Sequence, residues 1–484
     1  MDVQSVEIVD TVLVPYKLLK EIIMLTIEKL SEVIDIGKRE SKNFLTKPYV
    51  DIFHQKEKIC PNFKKDESTY NQFYQGDNFI VMKKLLEEGY KGKIDLIYID
   101  PPFFTKTKYK GKIFLYHDEE EDIIEHFAYD DTWEEGFFSY LKMLCTRLFL
   151  MKELLSEKGT LYVHLDYRTV HYIKIIMDQI FGGENFLNEI IWAYKSGGAS
   201  KRYYSKKHDT ILVYTKGKEY IFNPQKEKSY NRGFKPYKFK GVKEYKDELG
   251  WYTLVNLKDV WQIDMVGRTS KERVGYDTQK PEKLLERIIL TSSDEDSLIA
   301  DFFAGSGTTG VVAEKLNRRW IMSDIGSLSS LTIAKRLIEN NSTPFYIYKP
   351  NIRDERAGKL YLNEIILEND NGIKCLKIEL DRYEIDLNKI NIKDKDRELI
   401  NEILTKNSLS LLDFIGIDPN YKDNLPNLRW QYYRNNKRNL DSIIYIKIDK
   451  VKEDQKIFIR YVDVFGNDNF MIYKIKNGKV IRWE

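Results

Sequence analysis

Cysteine is scarce in this chain, with three in 484 residues, at positions 60, 145 and 375. Their number is odd and their spacing is too wide for a CxxC metal knuckle, which argues against a disulfide framework and a cysteine-rich zinc site. The N-terminus also lacks a basic region leading into an apolar core, the pattern of a secretory signal. We therefore expect a cytoplasmic protein in a reducing environment.

Long apolar runs and an excess of one charge are absent as well. The apolar stretch at residues 13–34 carries charged side chains at spacings that leave one apolar stripe, which predicts an amphipathic helix and not a membrane span. We expect no membrane partner. The chain has 78 Lys and Arg against 75 Asp and Glu, so its net charge of +3 argues neither for nor against nucleic-acid binding.

The order of apolar and polar segments predicts the fold class. The length predicts about three domains, and 42% hydrophobic residues are enough for a sizeable core. From residue 70, short apolar runs alternate with amphipathic stretches, which predicts an α/β domain of repeating βα units. Ile94–Ile99 predicts a buried parallel strand, because it is nearly all apolar and ends at two prolines. Helices are predicted at 139–157 and 172–181, and strands at 159–165 and 187–194.

The positive charge is concentrated in one segment, residues 195–250. It contains fifteen Lys and Arg, six Asp and Glu, and seven tyrosines. Basic side chains interleaved with aromatic ones suit phosphate contacts and base stacking, although a solvated, loop-rich insertion has the same composition. The candidate DNA contacts are Lys201, Arg202, Lys206, Lys207, Arg232 and Lys235.

A glycine-rich turn indicates a nucleoside cofactor. The sequence GSGTTG at 305–310 follows a predicted strand at 298–303 and precedes a predicted helix at 311–316. Glycines allow a tight turn and a close approach of the ligand to the backbone. Asp324 ends the next predicted strand, where its carboxylate is placed to accept hydrogen bonds from a ribose diol. No GxxxxGK[ST] is present, which disfavours a P-loop NTPase, but the turn alone does not distinguish NAD from other nucleoside cofactors.

The sequence Asp100-Pro101-Pro102-Phe103 places reactive groups at the end of the first predicted buried strand. Ligands bind at the carboxyl ends of strands in open α/β sheets. The prolines predict a rigid extended turn whose carbonyls have no ladder partners. The carboxylate and a proline carbonyl are then able to accept both N–H bonds of an exocyclic amino group, while Phe103 stacks on its ring. A capping Asp at a proline-rich strand exit is the alternative if the motif stands alone.

Together these motifs resemble the circularly permuted β group of amino-methylating DNA methyltransferases, including the modification subunits of type III restriction systems. The resemblance spans residues 74–336. The segment 301–309 resembles the family's cofactor motif, although a proline is more usual at 302. The segment 276–285 resembles the stretch that holds the methionine end of the cofactor, and 75–78 the turn whose acidic residue binds its adenine.

The resemblance implies a set of site residues. The catalytic residues would be Asp100, Pro101, Pro102 and Phe103. The residues that bind S-adenosylmethionine would be Asp77, Thr278, Lys280, Pro281, Asp301, Phe303, Ala304, Gly305, Ser306, Gly307, Thr308 and Asp324. Within this set Lys280 is expected to pair with the cofactor carboxylate, and no metal is expected. His164 and Asp166, at another strand end, are candidates for the base pocket or for a structural role.

The resemblance also implies a fold and a reaction. The fold would be a Rossmann-like sheet of seven strands, with a helical extension at 1–69, a catalytic half at 70–192, a target-recognition insertion at 193–255, a cofactor half at 256–345 and an α+β domain at 346–484. The reaction would be direct methylation of a flipped base in double-stranded DNA. No cysteine lies in a motif, so a covalent enzyme intermediate is not expected. Asp at 100 generally accompanies adenine in this family, and Phe103 replaces a more common tyrosine.

Two other functions remain open at this point. One is an NAD-dependent dehydrogenase, because the glycine turn fits it equally well. The other is a DNA-binding subunit without catalytic activity. Family analogy further allows a restriction nuclease or helicase subunit as partner, and a homodimer.

Overall fold

The structure is a computed structural model that describes most of the chain. The described residues are 27–61, 71–117, 120–133, 136–198, 200–267, 269–350, 358–370, 373–390, 392–423, 425–434, 439–448 and 451–483. The first half of the helix predicted at 13–34 lies outside them. Its second half belongs to the first described helix, Ile27–Thr46.

Helices and strands alternate in residues 71–99, 137–193 and 282–349, as the sequence pattern predicts, whereas residues 208–262 and 412–482 contain strands without an α-helix between them. The helices are α1 (Ile27–Thr46), α2 (Asn78–Glu87), α3 (Phe137–Leu154), α4 (Val170–Phe181), α5 (Glu282–Ser292), α6 (Thr308–Lys315), α7 (Ser327–Glu339) and α8 (Asp394–Asn407). The strands are β1 (Gln55–Ile59), β2 (Asn71–Gln75), β3 (Ile94–Ile99), β4 (Lys108–His117), β5 (Glu120–Asp130), β6 (Leu155–Leu165), β7 (Phe186–Ala193), β8 (His208–Thr215), β9 (Lys226–Tyr230), β10 (Glu244–Lys246), β11 (Trp251–Asn256), β12 (Val260–Gln262), β13 (Leu298–Asp301), β14 (Arg319–Asp324), β15 (Phe345–Lys349), β16 (Lys359–Asp370), β17 (Ile373–Glu384), β18 (Leu412–Tyr421), β19 (Asn427–Leu428), β20 (Trp430–Tyr433), β21 (Ile443–Lys447), β22 (Lys456–Asp463), β23 (Asp468–Lys476) and β24 (Lys479–Arg482).

One mixed sheet forms the centre of the molecule. Its strand order is β12-β7-β8-β6-β3-β13-β14-β2-β15-β1-β19. β3 pairs in parallel with β6 on one side and β13 on the other, and its apolar side chains are buried. Two apolar clusters involve the sheet: one contains side chains of α3 and α4, and the other contains side chains of α5, α6 and α7. The predicted α/β class is confirmed.

The sheet has eleven strands in the described residues, whereas the family resemblance implies seven. β1 lies in the segment predicted as a helical extension, and β19 lies in the C-terminal domain. β1 is a polar strand: its Glu57 is buried beside Lys349 at 3.6 Å and Arg460 at 3.0 Å. A strand stabilised by ion pairs has no apolar alternation, so sequence periodicity does not reveal it.

The segment predicted as a target-recognition insertion, residues 193–255, contributes strands to two sheets, and its boundaries as a domain stay a prediction. β8 lies within residues 193–255, yet it pairs with β6 and β7 in the central sheet. The part of this segment that stands outside the central sheet is a three-stranded sheet of β10, β11 and β9. Only the composition of the segment is visible in the sequence, and composition does not show strand pairing.

The C-terminal residues form two further sheets that pack against the long hairpin of β4 and β5. One has the order β16-β17-β21 and the other β20-β18-β22-β23-β24. Their buried side chains form one apolar cluster with Ile113, Leu115 and Ile124 of the hairpin. In the described part of the chain, no helix combines the length and the apolar character needed to cross a bilayer.

Candidate active site

Four neighbouring strands end at the candidate site. β3, β13, β14 and β2 are consecutive and parallel, so their carboxyl ends meet at one edge of the sheet. Asp100 follows β3, Asp301 and Asp324 end β13 and β14, and Asp77 lies two residues beyond β2. A cavity of about 750 Å³ opens at this edge.

Most site residues expected from the sequence line this one cavity. They are Asp77, Asp100, Pro101, Pro102, Phe103, Thr278, Lys280, Asp301, Phe303, Ala304, Gly305, Ser306, Thr308 and Asp324. Pro281 and Gly307 do not line it. Pro281 is buried just before α5, and Gly307 turns the backbone into α6.

The two carboxylate oxygens of Asp100 differ in their hydrogen bonding. Its Oδ2 accepts a hydrogen bond from Lys280 Nζ at 2.5 Å. The Asp100 side chain is 17% exposed and the Lys280 side chain 13% exposed. Asp100 Oδ1 is buried and has no hydrogen-bond partner among the described residues. A buried acceptor without a donor is costly, so Oδ1 is suited to accept an N–H from a ligand. Lys280, which the resemblance pairs with the cofactor carboxylate, contacts Asp100 in this structure, and its pairing with the cofactor stays a prediction.

His164 lies behind Asp100 and is fully buried. Its Nδ1 is 2.8 Å from the Tyr98 hydroxyl and 3.8 Å from Asp100 Oδ1, and its Nε2 is 3.2 Å from Asp209 Oδ2. Burial opposes ionisation of Asp209, but its contacts with His164 hold the pKa of that carboxyl below its usual range. Neither His164 nor Asp166 lines the cavity, and Asp166 pairs with Arg168. His164 therefore supports the site from the core of the sheet.

Two carboxylates organise the glycine turn: Asp301 is buried, and Asp324 is partly exposed to the cavity. Asp301 accepts hydrogen bonds from Phe303 N–H at 3.0 Å and from the Thr309 hydroxyl at 2.5 Å. Asp324 accepts hydrogen bonds from the N–H groups of Gly305 and Gly326, both at 2.8 Å. Burial raises the pKa of Asp301 to about 7 and that of Asp324 to about 6. These carboxylates join β13, the turn and β14 into one unit.

Arg336 holds the other side of the turn, and sequence reasoning did not identify it. It is buried on α7, and its guanidinium donates to Ser306 O at 2.9 Å and to Thr308 Oγ1 at 3.0 Å. Glu282 at the start of α5 lies 3.2 Å from it and supplies the opposite charge. Because Arg336 contacts the turn across a gap of about thirty residues, no local motif reveals it.

Asp77 has a structural partner that the sequence also did not indicate. Its Oδ1 accepts from Phe79 N–H at the start of α2 and from Arg147 at 2.8 Å. Arg147 also donates to Asn78 Oδ1 at 2.5 Å, and Asn78 donates to Phe302 O at 2.7 Å. This chain of contacts connects the turn after β2 to the end of β13.

The predicted DNA-contacting residues lie on two separate surface segments. Lys201, Arg202, Lys206 and Lys207 are in the connection between β7 and β8, and Arg232 and Lys235 are beside the three-stranded sheet. Five of the six are exposed; Lys207 instead donates three hydrogen bonds to Ser196 and Gly197. None of the six lines the cavity. Their role in DNA binding stays a prediction.

We expect Gly307→Ala to destabilise the protein more than a matched glycine substitution. Gly307 has φ +78°, and a Cβ there would lie 2.6 Å from Ile333 Cγ1. The left-handed conformation costs about 1–2 kcal/mol for alanine, and the contact with Ile333 adds to it. Gly89 has φ +85° and no described atom within 4 Å of a Cβ, so Gly89→Ala should lose only the free energy of the left-handed conformation. Urea unfolding of Gly307→Ala and Gly89→Ala measures the difference, and equal losses would contradict the steric argument.

The raised pKa of Asp301 predicts a pH dependence of stability. Burial raises this pKa from 3.8 to about 7, so between these values the folded state keeps a proton that the unfolded state has released. The contribution of Asp301 to the free energy of unfolding is therefore complete below about pH 4 and is lost as the pH rises to about 7. We expect Asp301→Asn to gain on the order of 4 kcal/mol relative to wild type over this range. Urea unfolding at pH 3.5 to 8 measures it, and a difference between the two proteins that does not vary with pH would refute the assignment.

The fold and the site are those of an α/β enzyme in which a glycine turn and the Asp100 carboxylate line one cavity. A family model described as DNA methylase, the N6/N4 methyltransferase family, matches residues 94–335. This is half of the chain, and the chain belongs to that family. The resemblance of its motifs to amino-methylating DNA methyltransferases is confirmed, and the dehydrogenase reading is set aside.

Curated relatives agree with the family. The chain is 29% identical over 370 residues to the type II methyltransferase M.EcaI of Enterobacter cloacae, covering 62% of this chain and 78% of the relative. It is 31% identical over 269 residues to M.HpaI of Haemophilus parainfluenzae, covering 55% and 74%. It is 26% identical over 361 residues to the type III StyLTI Mod subunit of Salmonella typhimurium, covering 56% and 55%.

Proposed function

We propose that this chain transfers a methyl group from S-adenosylmethionine to the N6 amino group of adenine in double-stranded DNA. The observation that carries the proposal is Asp100 Oδ1, a buried acceptor to which no described residue donates, beside two prolines and an aromatic ring. An exocyclic amino group supplies the missing donor. Membership in the DNA methylase family supplies the class of reaction.

The residues of the glycine turn suit the proposed cofactor. Gly305, with φ +51°, lines the cavity, and a Cβ there would lie 3.6 Å from the Tyr276 ring. The absence of this Cβ lets a ligand approach the backbone. Asp324 and Asp77 would hold the adenosine part, and Thr278 and Ser306 the methionine part. Bound there, S-adenosylmethionine supplies an electrophilic methyl group.

The catalytic contribution of the chain is orientation. Asp100 Oδ1 and a proline carbonyl accept the two N–H bonds of the amino group, and Phe103 stacks on the base. These contacts aim the nitrogen lone pair at the methyl carbon and favour the positive charge that develops on nitrogen. The N–C bond would form as the bond from that carbon to sulfur breaks, and the nitrogen would then release one proton to solvent. The base must leave the duplex to reach this position, because its amino group is otherwise paired and stacked. None of the three cysteines lines the cavity, so direct transfer without a covalent enzyme intermediate is consistent with the site.

Adenine is proposed over cytosine for two reasons. The residue before the two prolines is Asp, which in the resembling family generally accompanies adenine. A further relative, 27% identical over 259 residues, is the DNA adenine methyltransferase YhdJ of Escherichia coli. The relatives named as type II methyltransferases and type III Mod subunits also support a restriction-modification role, with a restriction subunit as partner.

Incubation with S-adenosylmethionine that carries a labelled methyl group and with unmethylated genomic DNA tests the proposal. After digestion to nucleosides, label on N6-methyl-deoxyadenosine is the expected result. Label on the amino group of cytosine would overturn the adenine assignment and leave the reaction class. No label on DNA, despite measurable cofactor binding, would contradict the proposed activity for the chain alone.

A further inference from the structure

The cavity has a wall that lies outside the family match. The match ends at residue 335, yet Lys389, Ile390 and Asn467 of the C-terminal domain line the same cavity as Asp100 and Asp324. No motif in the sequence indicates a role for this domain.

Asn467 approaches the cavity on the side of Asp324. It follows Gly466, and a Cβ on Gly466 would lie 3.0 Å from the carbonyl carbon of Ser327 and 3.1 Å from its carbonyl oxygen. Ser327 begins α7 three residues after Asp324. The Asp324 carbonyl accepts from Gly76 N–H at 2.9 Å, which brings the turn with Asp77 to the same end. Asn467 therefore stands at the end of the cavity where we place the adenosine part of the cofactor.

The turn that carries Asn467 is rigidly held. Asp463 is fully buried, and its Oδ1 accepts from the N–H groups of Phe465 and Asn467, both at 2.9 Å. Its Oδ2 accepts from Asn467 Nδ2 and from the Tyr383 hydroxyl, also at 2.9 Å. Four hydrogen bonds to one carboxylate define the position of the turn and of the Asn467 side chain.

Ile390 is held in a similar way on a second segment. Arg397 of α8 donates to Leu387 O at 2.7 Å and to Ile390 O at 3.3 Å. Lys393 forms an ion pair of 2.6 Å with Glu125 of β5, in the hairpin whose other residues line the cavity. The hairpin also shares its buried cluster with the C-terminal sheets. The C-terminal domain thus borders the cavity with two segments, residues 387–390 and 463–467, and it also packs against the hairpin of β4 and β5.

We infer that the C-terminal domain forms part of the S-adenosylmethionine site, with Asn467 as a contact to its adenosine end and Ile390 as part of the wall of the same cavity. This inference rests on the proposed function. Ile390 contributes apolar surface, and the Asn467 amide contributes a polar group whose orientation Asp463 determines. The affinity for the cofactor consequently depends on residues that the family model does not contain.

Titration calorimetry with S-adenosylmethionine on the full chain tests the inference. We expect Ile390→Ala and Asn467→Ala each to raise the Kd about fivefold or more, equivalent to about 1 kcal/mol. Ile392→Ala is the matched control, because Ile392 is equally apolar and buried nearby but does not line the cavity; its Kd should equal that of wild type. Thermal unfolding of each variant verifies that it is folded.

Hydrogen exchange of the wild-type protein gives a second measurement that requires no variant. Addition of S-adenosylmethionine should slow exchange of backbone amides at 387–390 and 463–467. Unchanged exchange there, together with a wild-type Kd for both variants, would overturn the inference. If Asp324→Ala weakens binding of S-adenosylmethionine while the two C-terminal variants do not, the inference fails and the proposed function is unaffected. If the wild-type protein does not bind S-adenosylmethionine, the proposed function itself fails.

Discussion

Asp100→Asn is expected to reduce the rate of methyl transfer by about two to three orders of magnitude, the usual effect of removing one preorganised electrostatic contact to a developing charge. The substitution keeps the size of the side chain but removes its negative charge. In either orientation of the asparagine amide, its NH2 group would face another hydrogen-bond donor, either Lys280 Nζ or the amino group of the base. Single-turnover transfer of labelled methyl to DNA measures the rate. Binding of S-adenosylmethionine and of DNA should change little, because Asp100 acts on the reacting nitrogen.

Asp130→Asn is the matched control for this prediction. Asp130 lines the same cavity, but it is partly exposed, and its Oδ1 accepts from the backbone N–H and the hydroxyl of Thr132. Its variant should keep most of the activity. Equal losses in the two variants would mean that the cavity needs negative charge in general, and would contradict a specific role for Asp100.

Lys280→Met is expected to lower both stability and activity. The Lys280–Asp100 pair is largely buried, and removing one partner of such a pair leaves an uncompensated charge, at a cost of about 3 kcal/mol. The carboxylate also loses the contact that orients it, so kcat should fall. The Kd for S-adenosylmethionine should change little. Urea unfolding, single-turnover kinetics and calorimetry measure these quantities.

A double-variant cycle isolates the ion pair from other effects. In Asp100→Asn/Lys280→Met neither charge remains, so its loss of stability should be smaller than the sum of the single losses by about 1–3 kcal/mol. Lys283→Met, an exposed position on α5, is the control and should be close to wild type. A raised cofactor Kd in Lys280→Met without loss of stability would instead favour the pairing of Lys280 with the cofactor carboxylate that the sequence suggests.

The sequence pattern predicts the alternation of helices and strands in the central part of the fold. The buried strand Ile94–Ile99 was predicted with its observed bounds, because a strand buried on both faces is a continuous apolar run. The helix predicted at 139–157 is Phe137–Leu154, and the strand after it begins at Leu155, four residues earlier than predicted. Leu155 is apolar and buried, but the polar residues Ser156, Glu157 and Lys158 follow it, so the continuous apolar run starts later than the strand does.

The edges of the sheet were not predictable in the same way. β1 is polar because it forms buried ion pairs, and β19 comprises only Asn427 and Leu428. A two-residue strand is shorter than any periodicity, and its partner β1 is far away in the sequence. Such pairings depend on which segments the folded chain brings side by side.

The sequence by itself determined the chemistry of the local motifs. The carboxylate, the two prolines and the ring at 100–103 are contiguous, and the glycine turn at 305–310 lies directly between a strand and a helix. Their function depends on neighbours within a few residues, so it is visible without a structure. This local information was sufficient to indicate the family.

Only the tertiary structure decided how these motifs meet and what completes them. Lys280 and Asp100 are 180 residues apart and in contact, because the strand order brings β3 next to β13 and the segment before it. His164 and Asp209 meet because β6 and β8 are paired. Ile390 and Asn467 reach the cavity through the packing of a whole domain. Contacts of this kind arise from the burial of distant segments against each other, and they leave no periodic signal in the sequence.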